Sequence, residues 1–405
     1  MVFVKIWVEM DEERLAGNFA ALNRVLAETS GAVMTLLAVV KANAYGHGIA
    51  VCAPMLARAG AQWLGVTDAQ EGTSARAALA AAGIPRAVQP SVLVMSGMTG
   101  LAEEAALIVR EGLTAVVWEG GHLELLAEAA RRAGATEQVP VHVEIETGMA
   151  RQGVRCGEEL GRLLGTIDRT PELRLDGVFT HFASTEVAHA AQTSEQERQF
   201  EEAIAQVRAA GLRPEWVHVG NSSFLDNGAE PGALGWVSGL AAGVGARAMV
   251  RAGLALYGYL LPIEGTKDED VAMVRSLVRP VMRWKTRVIG LREVEAGATV
   301  GYNGIFVAER RMRLALLPVG YADGLRRELS ASNSKAGGWV MLRGQRAPIV
   351  GRVSMNLTVV DVSAIADAAV GDAVTLLGDR VTAEDHARLA GTIAYEIVCG
   401  VRVSG

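Results

Sequence analysis

The first residues able to do chemistry are a lysine and its surroundings. Residues 35–40 read TLLAVV, a short apolar run, and Lys41 follows directly within VKANAYGHG (40–48). A lysine at the end of a buried strand is partly desolvated, which lowers its pKa toward neutrality. An amine needs that in order to form a Schiff base or to abstract a proton. A lone lysine in this position ordinarily only reaches into water, so Lys41 needs partners. His181 in THFA (180–183) sits at another strand end, where a histidine alone is ordinarily structural. Ser222 lies in GNSS (220–223), which by itself reads as a loop. Arg251 interrupts the apolar run VRAGLALYG (250–258), a poor setting for a surface ion pair.

The elements that would position these residues can be read from periodicity. Between about 30 and 260, apolar runs at 35–40, 63–67, 92–95, 114–117, 141–145, 175–179, 216–219 and 247–250 alternate with segments of helical period. Leu123–Ala133 and Ser194–Ala210 are examples of the latter. Repeated strand–helix units with continuous apolar strands imply a parallel sheet covered by helices. About eight units in about 230 residues fit an α/β fold of the (β/α)8 TIM-like barrel type, whose chemistry sits at the carboxyl ends of the strands. An open doubly wound sheet shares the pattern, because periodicity does not show closure. After about residue 265, alternating runs at 281–289, 313–318, 339–343, 347–353, 357–362 and 373–377 predict a mostly β C-terminal domain. The polar segment Thr266–Asp270 reads as the linker, and residues 1–9 alternate in the same way. The expected domains are therefore 10–265, and 1–9 with 266–405.

Composition narrows the class of function. The chain has 405 residues, 50% of them hydrophobic, and a net charge of −6, with no basic block to neutralise phosphates. Nucleic acid is therefore not an expected partner. Three widely separated cysteines argue against a disulfide framework, and no Cys/His cluster suggests a metal site. No uncharged stretch is longer than 231–246, which is glycine-rich and too short to span a bilayer, so a cytoplasmic location without membrane association is expected.

VKANAYGHG resembles the pyridoxal 5'-phosphate (PLP) lysine motif of the alanine racemase family, whose members join a (β/α)8 barrel to a C-terminal β domain. TGMARQG (147–153), THFA (180–183), VRAGLALYG (250–258), VGY (300–302), PVGYADG (318–324), GRVSM (351–355) and TIAYE (392–396) match in the same order across nearly the whole chain. The resemblance implies that Lys41 holds PLP covalently and takes the α-proton of the D enantiomer, while Tyr302 acts on the opposite face. A free phenol titrates near about 10, and His181 and Arg251 resemble the positive neighbours that activate it. Arg251 also resembles the arginine facing the pyridine nitrogen. The resemblance further assigns the phosphate to Tyr45, Ser222, Tyr395 and the amides of Gly253 and Leu254. It assigns the substrate carboxylate to Arg151 and the Met355 amide, and the entrance to Tyr321. A head-to-tail homodimer with shared sites is implied as well.

Two positions depart from the family pattern. Glu144 stands where a carbamylated lysine is frequent, and is expected to pair with Arg151. Asn356 follows Met355 where aspartate is usual, which points to serine or several amino acids as alternative substrates. Barrel-plus-β-domain decarboxylases share the architecture, but their cysteine-centred C-terminal motif has no match here. A non-catalytic PLP carrier lacks the second domain, and a barrel scaffold would not keep so complete a site.

Overall fold

The computed structural model describes residues 5–31, 33–229, 232–266 and 271–403. Two compact units are distinguished by their internal contacts: residues 15–44 with 48–278, and residues 1–14, 45–47 and 279–405. The chain enters through β1 (Ile6–Met10), which belongs to the second of these.

In the first unit eight parallel strands close into a barrel: β2 (Met34–Val39), β3 (Trp63–Val66), β4 (Ser91–Val94), β5 (Thr114–Val117), β6 (Val139–Ile145), β7 (Leu173–Thr180), β8 (Trp216–Val219) and β9 (Arg247–Ala252). Closure, which periodicity could not show, lies in β2 pairing with both β3 and β9, with Leu37 opposite Trp63 on one side and Arg251 on the other. The strands read as apolar runs because they are buried on both faces, by the lumen and by the outer helices. The helix Glu158–Arg169 shows how the outer layer is built. It buries Leu160, Leu163, Leu164 and Ile167, spaced three and four apart, and opens on two glutamates that favour the positive end of the helix dipole. The strands observed agree with those expected to within about three residues.

The second unit is mostly β. An antiparallel sheet runs β1–β10–β18–β15–β16, where β10 is Met282–Arg287, β15 is Trp339–Leu342, β16 is Gln345–Pro348 and β18 is Ala373–Leu377. A three-stranded sheet runs β11 (Gly290–Val294), β14 (Met312–Leu317), β17 (Thr358–Asp361), and a hairpin joins β12 (Thr299–Val300) to β13 (Phe306–Val307). In β10 burial alternates residue by residue, the signature of a sheet with one face on the core. The elements not anticipated from sequence include β11, the β12–β13 hairpin and the helices Ala383–Ala390 and Ala394–Gly400. Residues 1–4 of the N-terminal segment and 267–270 of the expected linker lie outside the described residues.

Candidate active site

The candidate residues of the barrel unit stand at the carboxyl ends of its strands. Lys41 follows β2, Arg151 follows β6, His181 follows β7, Ser222 follows β8, and Arg251 lies within β9 with Gly253 and Leu254 just beyond. After Lys41 the backbone takes a left-handed helical turn, with Ala42, Asn43, Ala44 and Tyr45 all at φ between 52° and 55°. L-residues pay about 1–2 kcal/mol each for that conformation. The turn is held by Glu71, which accepts from the amides of Asn43 (3.1 Å) and Thr67 (2.8 Å), and by Asn43 Oδ1, which accepts from Ile49 N (2.8 Å). Val40 is fully buried, but Lys41 itself is exposed on the mouth, so the desolvation expected from its apolar approach is not observed. The strand ends at Val39, two residues before it, and the left-handed turn begins at Ala42.

Arg251 is the electrostatic centre of this unit. It is 5% exposed, and burial first, then repulsion from Arg151 against attraction from Glu144, brings it down to about 10. It donates from Nη1 to His218 Nδ1 (3.0 Å), and from Nη2 to Thr180 O (3.0 Å) and His181 Nδ1 (3.1 Å). Burial, reinforced by Arg251, Arg151 and Lys41, lowers His181 to about 3, so its ring is neutral near pH 7 and can accept from the guanidinium. Gln196, 1% exposed, fixes the His181 carbonyl at 3.0 Å and receives the Ala183 amide at 2.9 Å.

Ser222 is 2% exposed, and its Oγ accepts from the amides of Gly253 (3.0 Å) and Ala255 (3.1 Å). Of the two amides named from sequence, Gly253 is therefore on this hydroxyl, and Ala255 rather than Leu254 is its companion. A buried hydroxyl on which two amides converge, together with a buried guanidinium of β9 that meets no carboxylate among the described residues, is a donor set that suits a phosphate-bearing, electron-poor ring. Pyridoxal phosphate fits it.

Arg151 lies in a tight loop after β6 and lines a cleft of about 830 Å3 with Trp118, Glu146, Gln152 and Arg198. Glu146 accepts from the amides of Gly148 (2.5 Å) and Arg151 (3.4 Å). Gly153, at φ 109°, leaves no room for a side chain, since a Cβ would come within 2.7 Å of Glu146 N. The expected Glu144–Arg151 pair is not formed. Glu144, 3% exposed, instead accepts from the Gln152 amide, and Arg151 is exposed. The physical reason is direction: Glu144 points into the barrel at a strand position, whereas the Arg151 loop carries its side chain outward.

In the second unit, Tyr302 (67% exposed) begins a short turn after β12. Gly301 packs against Arg352 N, and Gly351 against Val300 O, so the turn is pinned to the GRVSM segment. Tyr321 N donates to Ser354 O and Ala322 N to Met355 O, both at 3.0 Å, which ties Tyr321 to Met355 and Asn356. All four of these residues are exposed. Tyr45 and Tyr395 meet with ring centroids 5.8 Å apart.

Residues missed from sequence are His142, Asp176 and His218, each in the wall of the barrel and each 3% exposed or less. The available signal was a polar residue inside an otherwise apolar strand, as in VHVEI, LDGVF and WVHV.

A closed parallel barrel with a buried guanidinium on its last strand, followed by a mostly β unit, defines a two-unit barrel enzyme. The alanine racemase N-terminal domain matches residues 10–261 and the alanine racemase C-terminal domain residues 281–404. The chain belongs to the alanine racemase family. It is 36% identical over 399 residues to the alanine racemase of Syntrophobacter fumaroxidans, covering 98% of this chain and 95% of that one. The solved alanine racemase of Streptomyces coelicolor is similar at a TM-score of 0.82 and 31% identity, covering 98% of this chain and 96% of that one. The Bartonella henselae alanine racemase, solved with covalently bound pyridoxal phosphate, gives a TM-score of 0.77 at 25% identity, covering 99% and 98%. Among the described residues no helix is long and apolar enough to cross a membrane.

Proposed function

We propose that the chain interconverts L- and D-alanine with pyridoxal 5'-phosphate held at the barrel mouth. The observation that carries this reading is the placement of Lys41 just beyond the carboxyl end of β2 and of Arg251 in β9, the strand paired with β2. An amine and a fixed cation thus share one rim. When bound, the cofactor supplies an electron sink that acidifies the α-hydrogen of an amino acid.

The chain's own residues do the rest. Lys41 anchors the cofactor and moves a proton on one face, and the Tyr302 phenol moves one on the other. Two groups are needed because a single base returns the proton to the face it left. Arg251 would face the cofactor ring and, as a guanidinium, could donate a hydrogen bond to it but not a proton. Ser222, Tyr45, Tyr395 and the Gly253 and Leu254 amides would hold the phosphate. The Arg151 fork takes the substrate carboxylate with the Met355 amide, and Tyr321 and Asn356 stand at the entrance. Glu144 supports this arrangement from the lumen. Tyr302, Tyr321 and Met355 are supplied by a second copy of the chain, in a head-to-tail homodimer.

The test is formation of D-alanine from L-alanine by the PLP-loaded protein, measured with a stereospecific oxidase. Lys41→Ala and Tyr302→Phe should each be inactive, and refolding the two together should restore activity through one intact site per mixed dimer. Activity in neither the wild type nor the mixture would end the proposal.

A further inference from the structure

A continuous hydrogen-bonded chain of side chains links β7, β6, β8 and β9, and most of it lies outside the reading above. Asp176 Oδ2 stands 3.2 Å from His142 Nε2, and His142 Nδ1 2.9 Å from His218 Nε2. His218 Nδ1 in turn receives Arg251 Nη1 at 3.0 Å. His142 and His218 are 0% exposed and Asp176 3%. The ring of His142 fits because residue 177 is glycine: a Cβ there would lie 2.6 Å from it, at a point where the β6–β7 register shifts. Phe179 stacks on the His218 ring at 4.4 Å, with 12° between planes, and fixes its tilt.

The donors and acceptors of this chain admit one direction only. A guanidinium donates and never accepts, so His218 Nδ1 must offer its lone pair and carry its proton on Nε2. That proton points at His142 Nδ1, which must accept, leaving the His142 proton on Nε2 toward the Asp176 carboxylate. Neutral imidazoles satisfy this order. Burial, His142 and Arg251 hold His218 well below its ordinary 6.5, which keeps it neutral. Reversing the order would set a His218 Nδ1–H against an arginine N–H in a dry wall, where an unsatisfied donor is costly.

We propose that Asp176 and His142 are positioning residues for Arg251: the carboxylate fixes both tautomers, and His218 then holds the guanidinium in one orientation at the rim. The proposal rests on Arg251 facing the cofactor ring, and part of its test is independent of that reading.

Nitrogen-15 NMR of histidine-labelled apoprotein should show His142 and His218 both protonated at Nε2 and bare at Nδ1. In Asp176→Asn the side-chain amide can either donate or accept, so these resonances should change to those of mixed tautomers. In the PLP-loaded variant, kcat for alanine should fall about tenfold, the effect of weakening one charge-assisted hydrogen bond. KM should stay within about twofold, because the residues assigned to the substrate carboxylate are untouched, and the cofactor absorption band should shift. If Asp176→Asn does not fold, His142→Phe serves, since it cuts the chain with a ring of similar size. Nδ1 protonation of either histidine in the wild type would overturn the proposal. So would tautomers that change while kcat and the absorption band do not, and that outcome would leave the racemase reading standing. A wild type without racemase activity would instead remove the reading itself, whatever the tautomers.

Discussion

Replacing Glu144 by glutamine removes an ionisable group from the barrel lumen while keeping an oxygen for the Gln152 amide to bind. Burial is the largest influence on this carboxyl. Although Gln152, Arg251 and Arg151 oppose it, burial raises the group from 4.5 to about 7. A carboxyl with a higher pKa in the folded chain binds its proton more tightly there than in the unfolded chain. Its contribution to stability is complete below about 4.5 and is lost as pH rises through about 7. At about 1.4 kcal/mol per decade, the loss is about 3 kcal/mol. Urea titrations of wild type and Glu144→Gln, at one protein concentration and without added cofactor, should therefore diverge in the variant's favour by about 3 kcal/mol between about pH 4.5 and pH 8. Water admitted to the carboxyl would reduce the figure, because the cost falls as the local dielectric rises. Curves that stay parallel to within about 0.5 kcal/mol would refute the reasoning, since a group ionising alike in both states leaves no such signature.

Three further outcomes follow from the geometry. Ser222→Ala removes the oxygen on which the Gly253 and Ala255 amides converge, and titration of the apoprotein should show pyridoxal phosphate binding about tenfold more weakly, near 1.4 kcal/mol; unchanged affinity would remove Ser222 from the phosphate site. Gly320→Ala would place a Cβ 2.2 Å from Ser354 O and 2.4 Å from Met355 O, so it should lower stability by about 1–3 kcal/mol and raise KM by displacing Tyr321 and Met355. A variant with the parent's melting temperature would contradict that. If Asn356 admits a hydroxylated side chain, kcat/KM for L-serine should lie within about a hundredfold of that for L-alanine, and a larger preference for alanine would leave the substitution without consequence for specificity.

Much of the barrel and of its site was written into the local sequence. Parallel strands buried on both faces must be apolar throughout, and that is how 114–117 and 216–219 could be bounded to the residue. Lys41, His181 and Arg251 could be named because each sits in a short motif whose neighbours match those of one family in order, whereas Ser222, in a segment that reads as a loop, was named only through that resemblance. The second unit was legible as β strands through their alternation, while its last two helices were hidden in a stretch that alternation did not describe. What the sequence could not carry was direction and partnership between distant residues. Glu144 and Arg151 are seven positions apart, close enough to suggest a pair, yet one side chain enters the lumen and the other leaves it, so Gln152 takes the bond. His142, Asp176 and His218 come from three consecutive strands, β6, β7 and β8, and only the register and curvature of their pairing bring their polar atoms within hydrogen-bonding distance. Composition and motif determine which groups are available; the register and curvature of the sheet decide which of them meet, because a hydrogen bond depends on separations of a few tenths of an ångström that no local pattern encodes.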